Sequence, residues 1–196
     1  KEFPKKKINL CLSGGCSANV KLNFEINKIP QINEIYVSPA MGDGGNALGG
    51  AINCMIENSN QKKLDMKTVY LGQKFDQDTI IKVCNKYKLK HEILSVDQKI
   101  DLAANFLKQE KIIGWFQGRM EYGPRALGAR SILASPKDNN INNFLNKRLN
   151  RTEFMPFAPV TIDELAPICF ENWNNQAECS RFMTTCYQCT SLMSEK

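Results

Sequence analysis

The most constraining feature of the sequence is a strand, a glycine loop and a helix that occur in this order twice. The apolar run Ile8–Leu12 ends at a Ser-Gly-Gly loop, and helical spacing follows over residues 17–26. In the second copy a strand over residues 34–38 is followed by a loop and then by an Ala-, Gly- and Leu-rich helix over residues 46–56. Tandem units of this kind predict an α/β layer with ligand groups at the strand ends.

A glycine loop between a strand and a helix suits a nucleotide, because glycine lets backbone amides approach phosphate and a helix N-terminus favours negative charge. The sequence contains neither G-x-x-x-x-G-K-[ST] nor G-x-G-x-x-G, so the P-loop and the dinucleotide fingerprint are absent. Asp43 is the one carboxylate of the second loop. From the residues alone it is a turn-former or a helix cap.

The remainder of the chain predicts a second α/β region after a polar linker. Strands are expected over 68–71, 91–94 and 112–116, and helices over 76–87, 97–109 and 138–149. Asp97 and Asp138 are placed to cap the last two helices.

An arginine-rich loop, GRMEYGPRALGARSIL, follows the last of these strands over residues 118–133. Arg119, Arg125 and Arg130 repel one another unless an anion lies among them, and guanidinium groups bind phosphate or carboxylate oxygens two at a time. The alternative is an ordinary surface loop in which Glu121 pairs with an arginine. Glycines and Pro124 shape the loop for a close approach to a ligand, so the sequence predicts an oxyanion clamp.

The helix over 138–149 carries a cation on its apolar side. Its apolar arc consists of Ile141, Phe144, Leu145 and Leu149. Arg148 falls near the middle of this arc, so it either faces the anion of the clamp or extends to solvent at the helix end. Lys147 and Arg151 lie beside it and add to a basic wall.

The net charge of +6 suits small anionic ligands as readily as nucleic acid. The arginines alternate with glycine and proline and not with the aromatic residues that stack bases, which argues against nucleic acid. No run approaches the ~18 to 20 apolar residues of a membrane span, so we expect a soluble cytoplasmic protein. The eight cysteines are expected to be reduced thiols, and Cys186 and Cys189 lack the further ligands that zinc requires.

The arginine-rich loop closely resembles the GRMEFGPRALGNRSIL signature of the carbamoyltransferases that modify nodulation factors and antibiotics. Tyr122 and Ala129 stand where Phe and Asn are usual. The strings LCLSGGCSANVKLN and SPAMGDGGNALGGAI, and residues 146–159, also resemble strings of this family, although Met155 stands where Arg is frequent. The resemblance spans nearly the whole chain.

The resemblance implies a particular pair of folds. Residues 1–57 are similar to the C-terminal half of an actin-like ATPase domain, residues 58–67 would be the linker, and residues 68–196 would form a YrdC-like α/β domain. Because the family's paired-histidine metal motif does not occur here, we expect the chain to be a fragment that begins and ends within these domains. An alternative is that this fragment is inactive on its own.

The resemblance also implies the chemistry. Carbamoyl phosphate and ATP would form carbamoyl-adenylate, and the carbamoyl group would pass to a hydroxyl-bearing acceptor. Arg119, Glu121, Arg125 and Arg130 would form the catalytic anion site, with Glu121 orienting an arginine. Lys147, Arg148 and Arg151 would bind substrate. Nucleotide would approach Gly14, Gly15, Asn19, Gly44 and Gly45, and Asp43 would be one ligand of a divalent metal, iron or magnesium.

Two other functions are compatible with the same residues. A threonylcarbamoyl-type tRNA-modifying enzyme shares both expected folds, although the long arginine-loop string favours the O-carbamoyl branch. The basic cleft could instead bind RNA without catalysis, with an affinity that falls steeply with salt. A homodimer is among the assemblies that the sequence allows.

Overall fold

The computed structural model describes residues 6–61, 64, 66, 68–151, 156–173 and 177–194. The chain divides into two compact units, and its course alternates between them. Unit 1 consists of residues 1–69, 121–127 and 160–196, and unit 2 consists of residues 70–120 and 128–159. Helices and short strands occur in both, so the predicted α/β class is confirmed.

Unit 1 is built on a two-stranded parallel sheet. Its elements are β1 (Ile8–Leu12), a 3₁₀ turn (Gly15–Ala18), α1 (Val20–Asn27), β2 (Ile32–Val37), a 3₁₀ turn (Asp43–Gly45), α2 (Asn46–Asn58) and, near the C-terminus, a further 3₁₀ turn (Asp163–Leu165). The paired strands place Leu10 opposite Ile35 and Leu12 opposite Val37. The two predicted strand-loop-helix units are therefore confirmed.

The core of unit 1 lies on one face of this sheet. Ile35 and Val37 are buried while their strand neighbours are exposed, as the twofold alternation of a strand requires. Met41 and Cys179 complete the buried cluster. Cys179 belongs to a helix near the end of the chain, and its Sγ donates to the Ile35 carbonyl oxygen at 3.0 Å. The C-terminal part of the chain thus packs on β2.

Unit 2 contains three helices and an antiparallel strand pair. Its elements are α3 (Gln77–Lys86), α4 (Val96–Lys108), β3 (Ile113–Phe116), β4 (Arg130–Leu133) and α5 (Ile141–Arg148). Ile113 pairs with Leu133 and Phe116 with Arg130, and α4 packs against β3. Three short C-terminal helices, α6 (Ala166–Cys169), α7 (Ala177–Arg181) and α8 (Ser191–Ser194), belong to unit 1.

Two predicted strands are wrong. Residues 68–71 form no strand, because the chain there meets its neighbours through isolated hydrogen bonds, such as that from the Tyr122 N–H to the Val69 carbonyl at 2.6 Å, and not through a ladder. Residues 91–94 are exposed irregular chain with no pairing strand in the described structure, and Ile93 is 65% exposed. Short apolar runs form strands only where a partner exists.

Two predicted helix caps are also wrong. Ser95 caps α4 through a capping box in which Gln98 N donates to Ser95 Oγ at 3.2 Å and Ser95 N to Gln98 Oε1 at 3.0 Å. Asn140 occupies the cap position of α5, and the Asp138 carboxylate accepts from the Asn140 N–H at 2.8 Å. Each aspartate lies two residues from the observed cap, and Asp, Ser and Asn are all favoured at this position.

The domain boundaries drawn from the family resemblance stay a prediction. The compact units follow contacts in space, whereas the predicted boundaries follow sequence strings. Of the predicted linker, residues 62, 63, 65 and 67 lie outside the described residues. None of the helices in the described ranges combines the length and hydrophobicity that a membrane crossing requires.

Candidate functional site

The loops that follow β1 and β2 are tied together at the carboxyl edge of the unit 1 sheet. Gly14 has a φ of +96° and its N–H donates to the Met41 carbonyl at 2.7 Å. Ser13 Oγ donates to the same carbonyl at 3.3 Å, and Ser17 Oγ donates to the Ser13 carbonyl at 3.0 Å. The glycine loop is therefore held in one conformation by the neighbouring loop.

A cavity of about 420 Å³ opens at this edge, beside the first turn of α2. Its polar lining includes Ser13, Ser38, Gly45 and Asn46, and its apolar lining includes Leu48, Ile52 and Met66. This volume lies within the range of small-molecule sites in proteins. The carboxyl end of parallel strands and the start of a helix are where α/β folds bind ligands.

The residues expected to approach the nucleotide differ in their environments, and Gly45 is the one among them that lines the cavity. A side chain at Gly45 would collide with the Ala40 carbonyl oxygen, so the backbone passes very close. Asn19 caps α1, and its Oδ1 accepts from the N–H groups of Lys21 and Leu22 at 3.1 and 3.0 Å. Gly15 begins the 3₁₀ turn after β1, and Gly44 lies in the turn before α2.

The middle of the arginine loop, residues 121–127, belongs to unit 1 and lies against the same two loops. Gly123 has a φ of +106°, and a Cβ there would lie 2.6 Å from the Pro39 carbonyl oxygen. Glu121 is buried and its Oε1 accepts from the Leu127 N–H at 2.8 Å, which closes the turn. A glycine is required at 123 because of both the dihedral angle and the close approach.

Arg125 extends from this turn to the 3₁₀ turn after β1. Its Nη2 donates to the Ala18 carbonyl at 2.8 Å. Its Nε is buried and has no hydrogen-bond partner, and no carboxylate of the described residues forms an ion pair with it. The guanidinium is half-buried, and this burial lowers the pKa of Arg125. Burying a cation without an acidic partner costs free energy, because the hydration that it loses is not replaced by an opposite charge.

Sequence reasoning did not identify Asn23, which is fully buried on α1. Its Nδ2 donates to the carbonyls of Ser17 at 2.8 Å and Thr184 at 2.7 Å. Asn23 thereby connects the 3₁₀ turn that Arg125 contacts with the C-terminal part of the chain. The available signal was a polar residue three positions from both Val20 and Ile26, on the helical face that packs inward.

Arg119 and Arg130 lie in unit 2, where both donate to backbone carbonyls of residues 71–73. Arg119 is exposed, and its Nη2 donates to the Leu71 carbonyl at 3.4 Å. Arg130 Nη2 donates to the Gln73 carbonyl at 3.3 Å. The structure therefore brings these two arginines to one stretch of backbone and places Arg125 in unit 1.

The basic residues of α5 are exposed. Lys147 and Arg148 lie in its last turn, and Arg151 stacks over the Phe157 ring at 4.8 Å. The prediction that the apolar arc is the buried side of α5 is wrong, because Leu145 and Asn146 are the buried pair and Phe144 is 49% exposed. Arg148 is consequently not on the buried side. Residues 152–155, including Met155 of the family-like string, lie outside the described residues.

Asp43 is an exposed residue of the 3₁₀ turn before α2. In the part of the chain that the structure describes, no three His, Cys, Asp or Glu side chains are grouped as metal ligands. One carboxylate is fewer than a resident ion needs, so Asp43 does not by itself fit a metal. All eight cysteines are free thiols, as the sequence predicted.

Comparison with known proteins matches both ends of the chain to one family. Residues 3–52 match the model described as Carbamoyltransferase N-terminus, and residues 104–196 match Carbamoyltransferase C-terminus. The chain is 36% identical to an uncharacterised protein of Methanocaldococcus jannaschii over 176 residues, which is 86% of this chain and 29% of that protein.

Two relatives carry descriptive names. Nodulation protein U of Azorhizobium caulinodans is 32% identical over 167 residues, with 85% of this chain and 28% of that protein covered. The 3'-hydroxymethylcephem-O-carbamoyltransferase of Streptomyces clavuligerus is 30% identical over 167 residues, with 85% and 30% covered. The chain thus spans under a third of the length of these relatives. Both matched regions carry the motifs described above, and the chain belongs to the carbamoyltransferase family.

Proposed function

We propose that the protein to which these residues belong transfers a carbamoyl group to a hydroxyl of an acceptor. Carbamoyl phosphate and ATP first give carbamoyl-adenylate, and the acceptor hydroxyl then attacks the carbonyl carbon. For the atoms to balance, one water enters and phosphate and pyrophosphate leave in the first step, and AMP leaves in the second. The acceptor is a small molecule or a sugar.

The finer fold assignment belongs to the same proposal. Residues 1–57 correspond to the C-terminal half of an actin-like ATPase domain, and residues 68–196 to a YrdC-like domain. Support for the first comes from the parallel β1–β2 pair, whose glycine loops lie at the edge where α/β folds bind nucleotides. A divalent metal would need ligands beyond Asp43.

The observation that carries the proposal is the environment of Arg125. Its buried Nε has no partner, and its only hydrogen bond in the described structure is to the Ala18 carbonyl. An oxyanion of a phosphorylated substrate would satisfy both the charge and the unused N–H. Such preorganised charge is most of what phosphoryl and acyl transfer ask of a protein.

In this proposal the nucleotide binds at a different site from the carbamoyl phosphate. The cavity beside α2 offers hydroxyl and amide groups from Ser13, Ser38 and Asn46 on one side and apolar carbons from Leu48 and Ile52 on the other. This combination suits a nucleoside, whose sugar is polar and whose base is flat and largely apolar. The N-terminal end of α2 favours the attached phosphates.

Calorimetry of the chain with carbamoyl phosphate, inorganic phosphate and ATP tests the proposal. Arg125→Ala is expected to weaken binding of carbamoyl phosphate by about tenfold to a hundredfold, the value of a charge-assisted hydrogen bond. Circular dichroism should show an unchanged fold, because Arg125 makes one bond to the protein. Undiminished binding by a folded Arg125→Ala variant would remove the assignment.

Lys82→Ala is the matched control, since it removes one positive charge from an exposed position on α3. It should leave the dissociation constant of carbamoyl phosphate unchanged apart from long-range screening. If both variants weaken binding equally, the effect reports net charge and not a site. A binding constant with a steep salt dependence and no preference for small phosphates would favour RNA instead.

A further inference from the structure

The guanidinium of Arg130 is enclosed by backbone carbonyl oxygens in unit 2. Nη1 donates to the carbonyls of Gln117 at 2.8 Å and Ala129 at 2.9 Å. Nη2 donates to those of Gln73 and Gly118, both at 3.3 Å. The four oxygens are called the carbonyl cage below. From this geometry we infer that Arg130 is a positioning residue, which fixes the backbone around Arg119 and does not itself bind the substrate anion.

The cage uses every N–H of the two terminal nitrogens. A guanidinium has five N–H groups, of which four are on Nη1 and Nη2, and four bonds to carbonyls are present. The Phe116 ring covers one face, with the guanidinium carbon 3.5 Å from the ring centroid. Bidentate binding of phosphate requires a free pair of N–H groups, so Arg130 cannot bind an oxyanion in the usual fork geometry.

The cage joins three separate stretches of the chain on both sides of Arg119. The Gln73 carbonyl also accepts from the Met120 N–H at 3.3 Å, and the Ala129 carbonyl from the Gln117 N–H at 3.0 Å. Gly72 N donates to the Met120 carbonyl at 2.9 Å. Residues 117, 118 and 120 are thus tied to 72–73 and 129, and Arg119 projects from the fixed segment between them.

Electrostatics explain why a cation is needed at this point. Four carbonyl dipoles with their negative ends directed at one place repel one another unless a positive charge lies among them. The planar guanidinium carries the charge and matches several oxygens at fixed angles, which an ammonium on one nitrogen cannot do. Removing it should release the backbone on both sides of Arg119, although no substrate contact is lost.

Hydrogen exchange of the chain, without any ligand, tests the cage. In Arg130→Ala the Gln117 and Met120 amides are expected to exchange about tenfold faster or more, since each loses a neighbouring charge-assisted bond. Methylguanidinium at about 20 mM, far below denaturing concentrations, should restore at least half of the lost protection, while equal urea or sodium chloride should not. Unchanged exchange in Arg130→Ala, or equal recovery with urea, overturns the inference.

Two further variants keep the test decisive. Arg148→Ala removes the same charge from an exposed position of unit 2 and should leave both amides unchanged. If Arg130→Ala does not fold, Arg130→Lys serves: its single nitrogen has three N–H groups for four carbonyls, so both amides should still exchange faster than in the wild type. Wild-type exchange in Arg130→Lys would overturn the inference.

The role of Arg119 rests on the proposed function and is tested in a separate binding experiment. In calorimetry with carbamoyl phosphate, Arg119→Ala and Arg130→Ala should each weaken binding, and the double variant should be no weaker than Arg119→Ala alone. Additive losses would mean that Arg130 contacts the anion directly, against the inference. If the wild type does not bind carbamoyl phosphate, the proposed function fails, and the exchange experiment decides on the cage alone.

Discussion

Different interactions stabilise the interior of each of the two units. Unit 1 has a buried apolar cluster of Ile35, Val37, Met41 and Cys179. In unit 2, Ala129 and Leu145 are the buried apolar residues among those described, while Ile80 and Ile100 are 42% and 52% exposed. Main-chain bonds, helix caps and the carbonyl cage supply much of the order in unit 2. Similar apolar content therefore leads to a core only where a sheet face brings the side chains together.

The arginine-rich loop is divided in the same way. Residues 121–127 belong to unit 1 and are fixed by a steric fit, in which Gly123 lies against the Pro39 carbonyl. Arg130 belongs to unit 2 and is fixed by charge and carbonyl dipoles. One sequence motif thus contains two mechanisms of positioning, and substitutions can separate them.

The largest expected effect is on the unit 1 core. Ile35→Ala should lower the free energy of unfolding of unit 1 by about 3 kcal/mol, because it leaves a cavity against β1 and Cys179. Ile80→Ala in unit 2 should cost under about 0.5 kcal/mol, since that side chain is already largely in water. Hydrogen exchange resolved by unit measures both. Equal losses would mean that the contrast between the two units does not exist.

Gly123 and Gly118 provide the next test, within one motif. Gly123→Ala should cost about 2 kcal/mol or more, since its Cβ would meet a fixed backbone oxygen at a φ of +106°. Gly118→Ala, at a φ of +56° with open space around its Cβ, should cost about 1 kcal/mol from the dihedral angle alone.

Urea unfolding of the wild type and of the two glycine variants measures this difference. A Gly118→Ala variant as unstable as Gly123→Ala would show that the steric fit at Pro39 contributes nothing. Wild-type stability for Gly123→Ala would show that the loop relaxes away from β2 without cost.

Local patterns in the sequence were sufficient for the elements that are fixed locally. The strand Ile8–Leu12 and the helices α2, α3 and α4 follow from apolar spacing and from flanking Gly, Ser and Asp residues. The predictions failed at 68–71 and 91–94 because a strand also needs a partner, and periodicity carries no information about partners. The predicted caps lie two residues from the observed ones, because a second residue of a type favoured at this position, Ser95 or Asn140, stands two positions away.

The candidate site was predictable in part. The arginine motif identified the residues with the unusual environments, but three guanidiniums in one string look alike. Their difference arises from contacts far along the chain, such as Arg125 with Ala18 and Arg130 with Gln73. Asn23 was missed for the same reason, since its partner Thr184 is 161 residues away. Hydrogen bonds between residues far apart in the sequence produce no periodic pattern from which they could be predicted.

The smallest expected effect concerns a cluster of three aromatic rings in unit 1, whereas Phe75 and Phe116 form an aromatic pair in unit 2. Tyr187 packs against Trp173 and Phe170, with ring centroids 5.0 and 5.9 Å apart. Burial raises the pKa of Tyr187 to about 12 from 10.0. Because the folded state holds this proton more tightly than the unfolded state, the contribution to stability is complete below pH 10.0 and is lost as the pH rises towards about 12.

A half-exposed ring is screened by solvent, so this loss should be about 1 kcal/mol and not the full value of the pKa shift. Urea midpoints of wild type and Tyr187→Phe at about pH 9 and about pH 11.5 isolate it, since all other titrations are common to both proteins. The wild type should lose more stability than Tyr187→Phe over this interval. An equal loss in both proteins would mean that the phenol is fully hydrated and that the cluster adds nothing to the core of unit 1.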